Sequence, residues 1–140
     1  KVLLYLGADA SFISKYTGMS ALHVAVEHSR PVAANILLNE CGVSASVREK
    51  NGMTALDLAA ASGRGDMIKV LLEGGVPVEP QNFEKSVTPL HYAARSGQAD
   101  CVRLLLTAKA TAGHCWNESG RVTPLYLAAS EGHSCVIEAL

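Results

Sequence analysis

Four times along the chain a hydroxyl residue leads into the same short apolar pattern. Ser20 precedes Ala21-Leu22-His23-Val24-Ala25-Val26, and Thr54 precedes Ala55-Leu56-Asp57-Leu58-Ala59-Ala60. Thr88 precedes Pro89-Leu90-His91-Tyr92-Ala93-Ala94, and Thr123 precedes Pro124-Leu125-Tyr126-Leu127-Ala128-Ala129. These starts at 20, 54, 88 and 123 are 34, 34 and 35 residues apart. The leucine and the alanines share one helix face at this spacing. A hydroxyl before the run is an N-cap, and proline at the first helical position loses no useful N–H. Each run then meets a break: Ser29-Arg30-Pro31, Gly63-Arg64-Gly65, Gly97-Gln98 and Gly132-His133. A second apolar run follows in phase, at Ile36-Leu37-Leu38, Val70-Leu71-Leu72 and Leu104-Leu105-Leu106. The pattern predicts pairs of short helices repeated along the chain. One pair cannot bury its own apolar face, so the pairs must stack.

The copies resemble the ankyrin repeat, whose signature is T-P-L-H-x-A at a period of about 33 residues. The resemblance covers essentially all 140 residues. It implies an all-α solenoid of helix-turn-helix repeats joined by β-hairpin-like loops. On that frame the chain is one domain, 1–140, with a partial repeat at 1–15, full repeats at 16–49, 50–83 and 84–118, and a partial repeat at 119–140. Gly7-Ala8-Asp9 matches the family's turn after a second helix, so the chain is expected to start inside a repeat. It stops at Ala139-Leu140 within another, where an apolar edge covered by a further repeat is expected.

The same resemblance assigns positions. Leu22, Leu56, Leu90 and Leu125 are expected to point into the stack, and Ala25, Ala59, Ala93 and Ala128 to let the helices approach. The second helices are expected to add Ala33, Ile36 and Leu37; Met67, Val70 and Leu71; and Cys101, Leu104 and Leu105. His23 and His91 are implied to bond near the capping hydroxyl and tie neighbouring loops, whereas Asp57 and Tyr126 depart from that residue. Gly18 and Gly52 suit tight turns with positive φ. Ser86 and the early Gly120 replace them in the last two hairpins, which are expected to be longer or differently shaped. Lys109 stands where the family has a turn glycine and should weaken that helix end. The asparagine hydroxylated in some family hairpins is replaced by Ser11, Ser46, Glu79 and Gly113, so that modification is not expected here.

Composition narrows the function. Apolar residues make up 49% and aromatics 5%, which suits small helices packed through Ala and Leu. Net charge is −1, without the basic excess of a nucleic-acid binder. No apolar run approaches the roughly 18 residues of a membrane span, and Lys1 to Leu6 reads as a repeat end rather than a signal peptide. Cys41, Cys101, Cys115 and Cys135 form no C-x-x-C pair, so reduced thiols of an intracellular protein, cytoplasmic or nuclear, are expected. A zinc site from His114, Cys115, His133 and Cys135 lacks recognised ligand spacing. Arg64-Gly65-Asp66 falls in a turn between helices, and Asn117-Glu118-Ser119 matters for glycosylation only in a secreted protein. There is no Gly-rich phosphate loop, G-x-S-x-G or H-E-x-x-H. Neither catalysis nor a cofactor is expected.

The unusual residues lie in the connectors. Tyr16, Phe83 and Trp116 place aromatics in the first, third and fourth, while the second carries Lys50-Asn51. Large rigid rings at such sites suit protein binding; the competing reading is that they fold down and fill gaps between loops. A second candidate surface is the end of each first helix, with Glu27 and His28, Ala61 and Ser62, Arg95 and Ser96, Ser130 and Glu131. In the ankyrin family such positions contact partners. The sequence therefore points to a non-catalytic protein-interaction module. A narrower resemblance, of Thr123–Ala129 and Gly132–Val136 to repeats of ankyrin-and-SOCS-box proteins, implies a substrate receptor of a cullin-RING ubiquitin ligase. Its elongin-binding box would lie outside this chain. A structural spacer with no particular partner is the third reading, and featureless polar tips would mark it.

Overall fold

The computed structural model describes residues 9–79, 87–116 and 122–140. Eight helices follow one another among them: α1 (Ala21–Glu27), α2 (Pro31–Asn39), α3 (Ala55–Ala61), α4 (Gly65–Glu73), α5 (Pro89–Arg95), α6 (Ala99–Thr107), α7 (Pro124–Ser130) and α8 (Ser134–Ala139). Odd-numbered helices pack on odd, even on even, and each odd helix packs on the even helix that follows it. The result is the expected all-α solenoid. Two isolated antiparallel bridges, Ile13 with Ser20 and Trp116 with Val122, mark the hairpins between pairs.

Each first helix starts where the hydroxyl stands. Thr54 and Thr123 accept the backbone N–H of Asp57 (3.2 Å) and Tyr126 (3.1 Å). Ser20 and Thr88 instead meet the Nδ1 of His23 and His91, each at 2.9 Å. These bonds satisfy helix-start groups that would otherwise be orphaned. The turn after the second helix needs a left-handed residue, supplied by Gly42 (φ 62°) and Gly75 (φ 80°). Lys109 takes the same conformation, at φ 69°, without a glycine's freedom. The helix before it still runs nine residues, like α4.

The core shows which way each helix faces. Leu22, Leu56 and Leu90 are buried to within 1%, Ala59, Ala93 and Ala128 are fully buried, and Ala25 is buried. In the second helices two adjacent positions are buried in the inner copies: Met67 with Ile68, and Cys101 with Val102. The end copies bury only one of the two. Ala34 is buried while Ala33, expected in the core, is exposed. Val136 is buried while Ile137 is exposed. One position therefore faces the preceding pair and the other faces the following pair. Ile36, Leu37, Val70 and Leu104 are only half-buried, and the last three pack at the margin of the core. Leu125 also departs from expectation. It is 49% exposed, whereas its three counterparts are at 0–1%.

The implied histidine ties are present. The Nε2 of His23 bonds the Met53 carbonyl at 3.1 Å, and that of His91 bonds the Val122 carbonyl at 3.2 Å. Asp57 holds the same place in the second copy but has no proton to give a carbonyl. Its buried carboxylate accepts from the Thr54 N–H (2.9 Å) and hydroxyl (2.8 Å) and lies 3.8 Å from the Arg48 guanidinium. Burial raises its pKa, and the Thr54 bonds and Arg48 oppose the rise. The matching carbonyl, that of Val87, is left without this tie. Asp57→His is expected to raise stability by about 0.5–1.5 kcal/mol, the ordinary net value of one such bond. Urea unfolding midpoints of the two proteins would show it, and a lower midpoint for the variant would mean that the Arg48 pair contributes more.

Candidate functional site

The hairpins are held to one another by backbone and side-chain bonds across neighbouring copies. The Lys50 N–H donates to the Thr17 carbonyl at 3.0 Å, and the Thr111 N–H donates to Oε1 of Glu79 at 2.7 Å. Within the second hairpin the Glu49 carboxylate accepts from Asn51 and Met53, which occupies it locally. At the opposite side of the stack, the turns inside each helix pair are joined as well. Arg64 donates to the Ser29 hydroxyl, and the Nε2 of His133 donates to the Arg95 carbonyl. The first two hairpins are thus tied directly to each other.

Tyr16 stands out on that surface. It is 87% exposed, on a hairpin fixed by the Gly18 N–H to Ser14 carbonyl bond (2.7 Å) and the bond from Lys50. Ile13 and Phe12 beside it are also exposed. Trp116 is half-buried, and its N–H donates to the Val122 carbonyl at 2.7 Å, so its backbone sits in the rim of its hairpin. Phe83 lies outside the described residues, as do the hairpin positions Ser86 and Gly120. The helix-end candidates Glu27, His28, Arg95 and Glu131 are all exposed, as is Lys50. His28 is turned onto its own helix, with Nδ1 3.0 Å from the Val24 carbonyl.

One row of residues escaped the sequence reading. Val24, Leu58, Tyr92 and Leu127 follow the histidine position in each copy, and every one is apolar or aromatic and only partly covered. Burial raises the Tyr92 phenol pKa, and the charges acting on it are those of Asp57, Arg48, Glu49 and Arg95. Tyr92 therefore lies between the second hairpin and the end of α5, on the wall that joins tips to helix ends. The sequence shows only a position that stays apolar or aromatic in all four copies, and Leu58 and Tyr92 pack at the edge of the core.

Among the described residues, no group of three or more His, Cys, Asp or Glu is placed to hold a metal ion. No helix among them is long and apolar enough to cross a membrane. His114 packs edge-on to His91, ring centroids 5.6 Å apart, rather than beside Cys135.

A family model of ankyrin repeats in three copies matches residues 1–82 and 77–140, and so spans the chain. The chain belongs to the ankyrin-repeat family. No curated protein matches it in a direct search. Ankyrin repeats are generally protein–protein interaction modules and typically non-catalytic.

The four thiols of this ankyrin array are all free. Cys135 is exposed and Cys101 is buried, and burial raises the Cys101 pKa, with Asp100 and Asp66 adding to the rise. A maleimide at neutral pH is expected to label Cys135 first and Cys101 on the order of 100-fold more slowly, only through opening of the stack. Equal rates, read by peptide mass spectrometry, would contradict the burial of α6.

Proposed function

We propose that this ankyrin array is a non-catalytic recognition module that binds a protein partner along its hairpin tips and the adjoining wall of first helices. The observation that carries the proposal is Tyr16, a large aromatic left 87% exposed on a hairpin that is itself rigidly bonded. A ring on a fixed loop contributes contact area with little ordering cost on binding. The row Val24, Leu58, Tyr92 and Leu127 supplies an apolar floor, and Lys50, Glu27, His28, Arg95 and Glu131 supply a polar rim. Phe83 and Trp116 join the proposal as further tip aromatics. The free thiols support a reducing compartment, cytoplasm or nucleus.

The test is affinity capture from cytosolic lysate with mass spectrometry, comparing the intact chain with the Tyr16→Ala, Phe83→Ala, Trp116→Ala triple variant. Capture by the intact chain alone is the expected result. For a partner so found, Tyr16→Ala is expected to weaken binding at least about tenfold, the scale of an aromatic hot spot. Its thermal midpoint should stay unchanged. Binding that survives the triple variant would assign these rings to loop packing. The narrower reading, a substrate receptor of a cullin-RING ligase, rests on the resemblance of Thr123–Ala129 and Gly132–Val136. Elongin and cullin among the captured proteins would support it.

A further inference from the structure

We propose that the tips of the first two hairpins dock an acidic segment of a protein, one that carries carboxylates on either side of a large apolar side chain. The proposal rests on the recognition function just given and names the partner's chemistry at those tips. The two tips form one patch. The Lys50 N–H donates to the Thr17 carbonyl at 3.0 Å. The backbones are close enough that a Cβ at Gly18 would stand 3.1 Å from the Lys50 nitrogen. That contact brings Lys15, Tyr16 and Lys50 onto one surface, and all three are exposed, Tyr16 to 87%. Phe12, at 64%, and Ile13, at 45%, extend the apolar part along the first hairpin.

Charge selects the occupant. The carboxylates near the patch are already committed to the chain itself. Glu49 accepts the Asn51 N–H (2.9 Å), the Asn51 side-chain amide (3.0 Å) and the Met53 N–H (3.3 Å). Asp57 is buried, accepts from Thr54 and pairs with Arg48, whose guanidinium also donates to the Gly52 carbonyl. Asp9, before the first hairpin, accepts the Ser11 N–H and hydroxyl. Glu27 closes α1 at the end away from the hairpin, about 10 Å along the helix. Lys15 and Lys50 enter no ion pair among the described residues. The tips therefore turn toward solvent two uncommitted ammonium groups beside an exposed ring, with every nearby carboxylate already hydrogen-bonded.

Other anionic partners fit this patch less well. An anionic lipid surface is read by clusters of about four to eight basic residues. A nucleic acid is read by a basic stripe, and this chain has a net charge of −1. Two ammonium groups around a ring match carboxylates on one short segment. An apolar side chain laid against Tyr16 excludes water from the flanking ion pairs and so strengthens them.

The probe is a random dodecapeptide library displayed on phage and selected on the intact chain. Selected peptides are expected to carry aspartate or glutamate on both sides of a leucine or an aromatic residue. A synthetic peptide of the commonest selected sequence should bind the Lys15→Glu, Lys50→Glu variant at least about tenfold more weakly, and the Lys15→Arg, Lys50→Arg variant within about twofold. Its affinity for the intact chain should fall as NaCl rises from about 0.05 M to about 0.5 M. Both variants should keep the parent's thermal midpoint, since the two side chains are exposed. Enrichment of neutral or basic peptides, no enrichment, or equal binding by the charge-reversed variant would overturn the proposal. So would binding of phosphatidylserine vesicles that charge reversal abolishes while no peptide is enriched, which would make the patch a lipid site. Tyr16→Ala separates this proposal from the broader one. Neutral or basic peptides that lose binding with Tyr16→Ala would remove the acidic partner and leave the tips as the recognition surface. Peptides that bind Tyr16→Ala and the parent alike would overturn both.

Discussion

Leu90→Ala is expected to lower the unfolding free energy by about 2–5 kcal/mol, while Leu125→Ala, at the same place in its repeat, should cost less than about 1 kcal/mol. The chemistry of the two changes is identical. Leu90 is fully buried between helix pairs on both sides, so its loss removes transfer energy and leaves a cavity that packed neighbours cannot fill. Leu125 keeps about half its surface in water, and water fills the space its side chain leaves. The ratio between the two costs is the informative quantity, because it cancels the uncertain price of a methylene group. Urea unfolding of the three proteins measures it. Similar costs would mean that the end face is covered in solution. A larger cost at Leu125 would contradict the packing order described above.

The second large effect is acid destabilisation between about pH 6.5 and pH 4. Both nitrogens of His91 are committed. Nε2 faces the Val122 carbonyl, which can only accept, so Nε2 carries the proton. Nδ1 accepts the Thr88 N–H at 3.3 Å and lies 2.9 Å from its hydroxyl. A second proton on Nδ1 would oppose the Thr88 N–H in a buried site, with the His114 ring edge-on nearby. Burial accordingly lowers the His91 pKa from 6.5 to about 4, and burial lowers that of His23 as well. A depressed histidine pKa means that the unfolded chain takes up the proton first as pH falls. The stability is present above 6.5 and is lost progressively toward 4. The loss from His91 should be on the order of 2 kcal/mol. Asp57 acts with the opposite sign, since its raised pKa lets the folded state bind a proton first at the bottom of this window. Urea titrations at half-unit steps from pH 7.5 to 4.5 should show the decline, and His91→Gln should flatten it while lowering stability at pH 7. A flat profile for the unmodified chain would contradict the buried neutral tautomer.

The sequence made the repeat legible because its determinants are local. A hydroxyl cap, a leucine two residues on and an alanine three further announce each first helix without knowledge of the neighbours. The tie histidines were legible only through the family resemblance, since nothing within one repeat says that His23 reaches Met53, 30 residues away. What escaped were properties set by adjacent copies. Ala33 and Ala34 are indistinguishable by composition, and only the stacking direction decides which is buried. Leu125 shares the Thr-Pro-Leu frame of Leu90, and only the packing around each separates 49% exposure from none. The candidate site was half legible. Tyr16 announced itself as an aromatic in a loop. Trp116, by the same reasoning, turned out half-buried at a hairpin rim. The row through Tyr92 was hidden because a residue that is apolar in every copy looks like core until its exposure is known.

The measurement that bears most directly on the recognition surface is amide hydrogen exchange of the chain alone and with a captured partner. The account predicts slowed exchange at the first two hairpins, around Ile13–Met19 and Arg48–Met53, and in α1, α3 and α5 beside Val24, Leu58 and Tyr92. It predicts no change in α4 and α6, where Lys69, Glu73, Arg103 and Thr107 face outward on the other side. Protection confined to the second helices, with the hairpins exchanging as before, would contradict it.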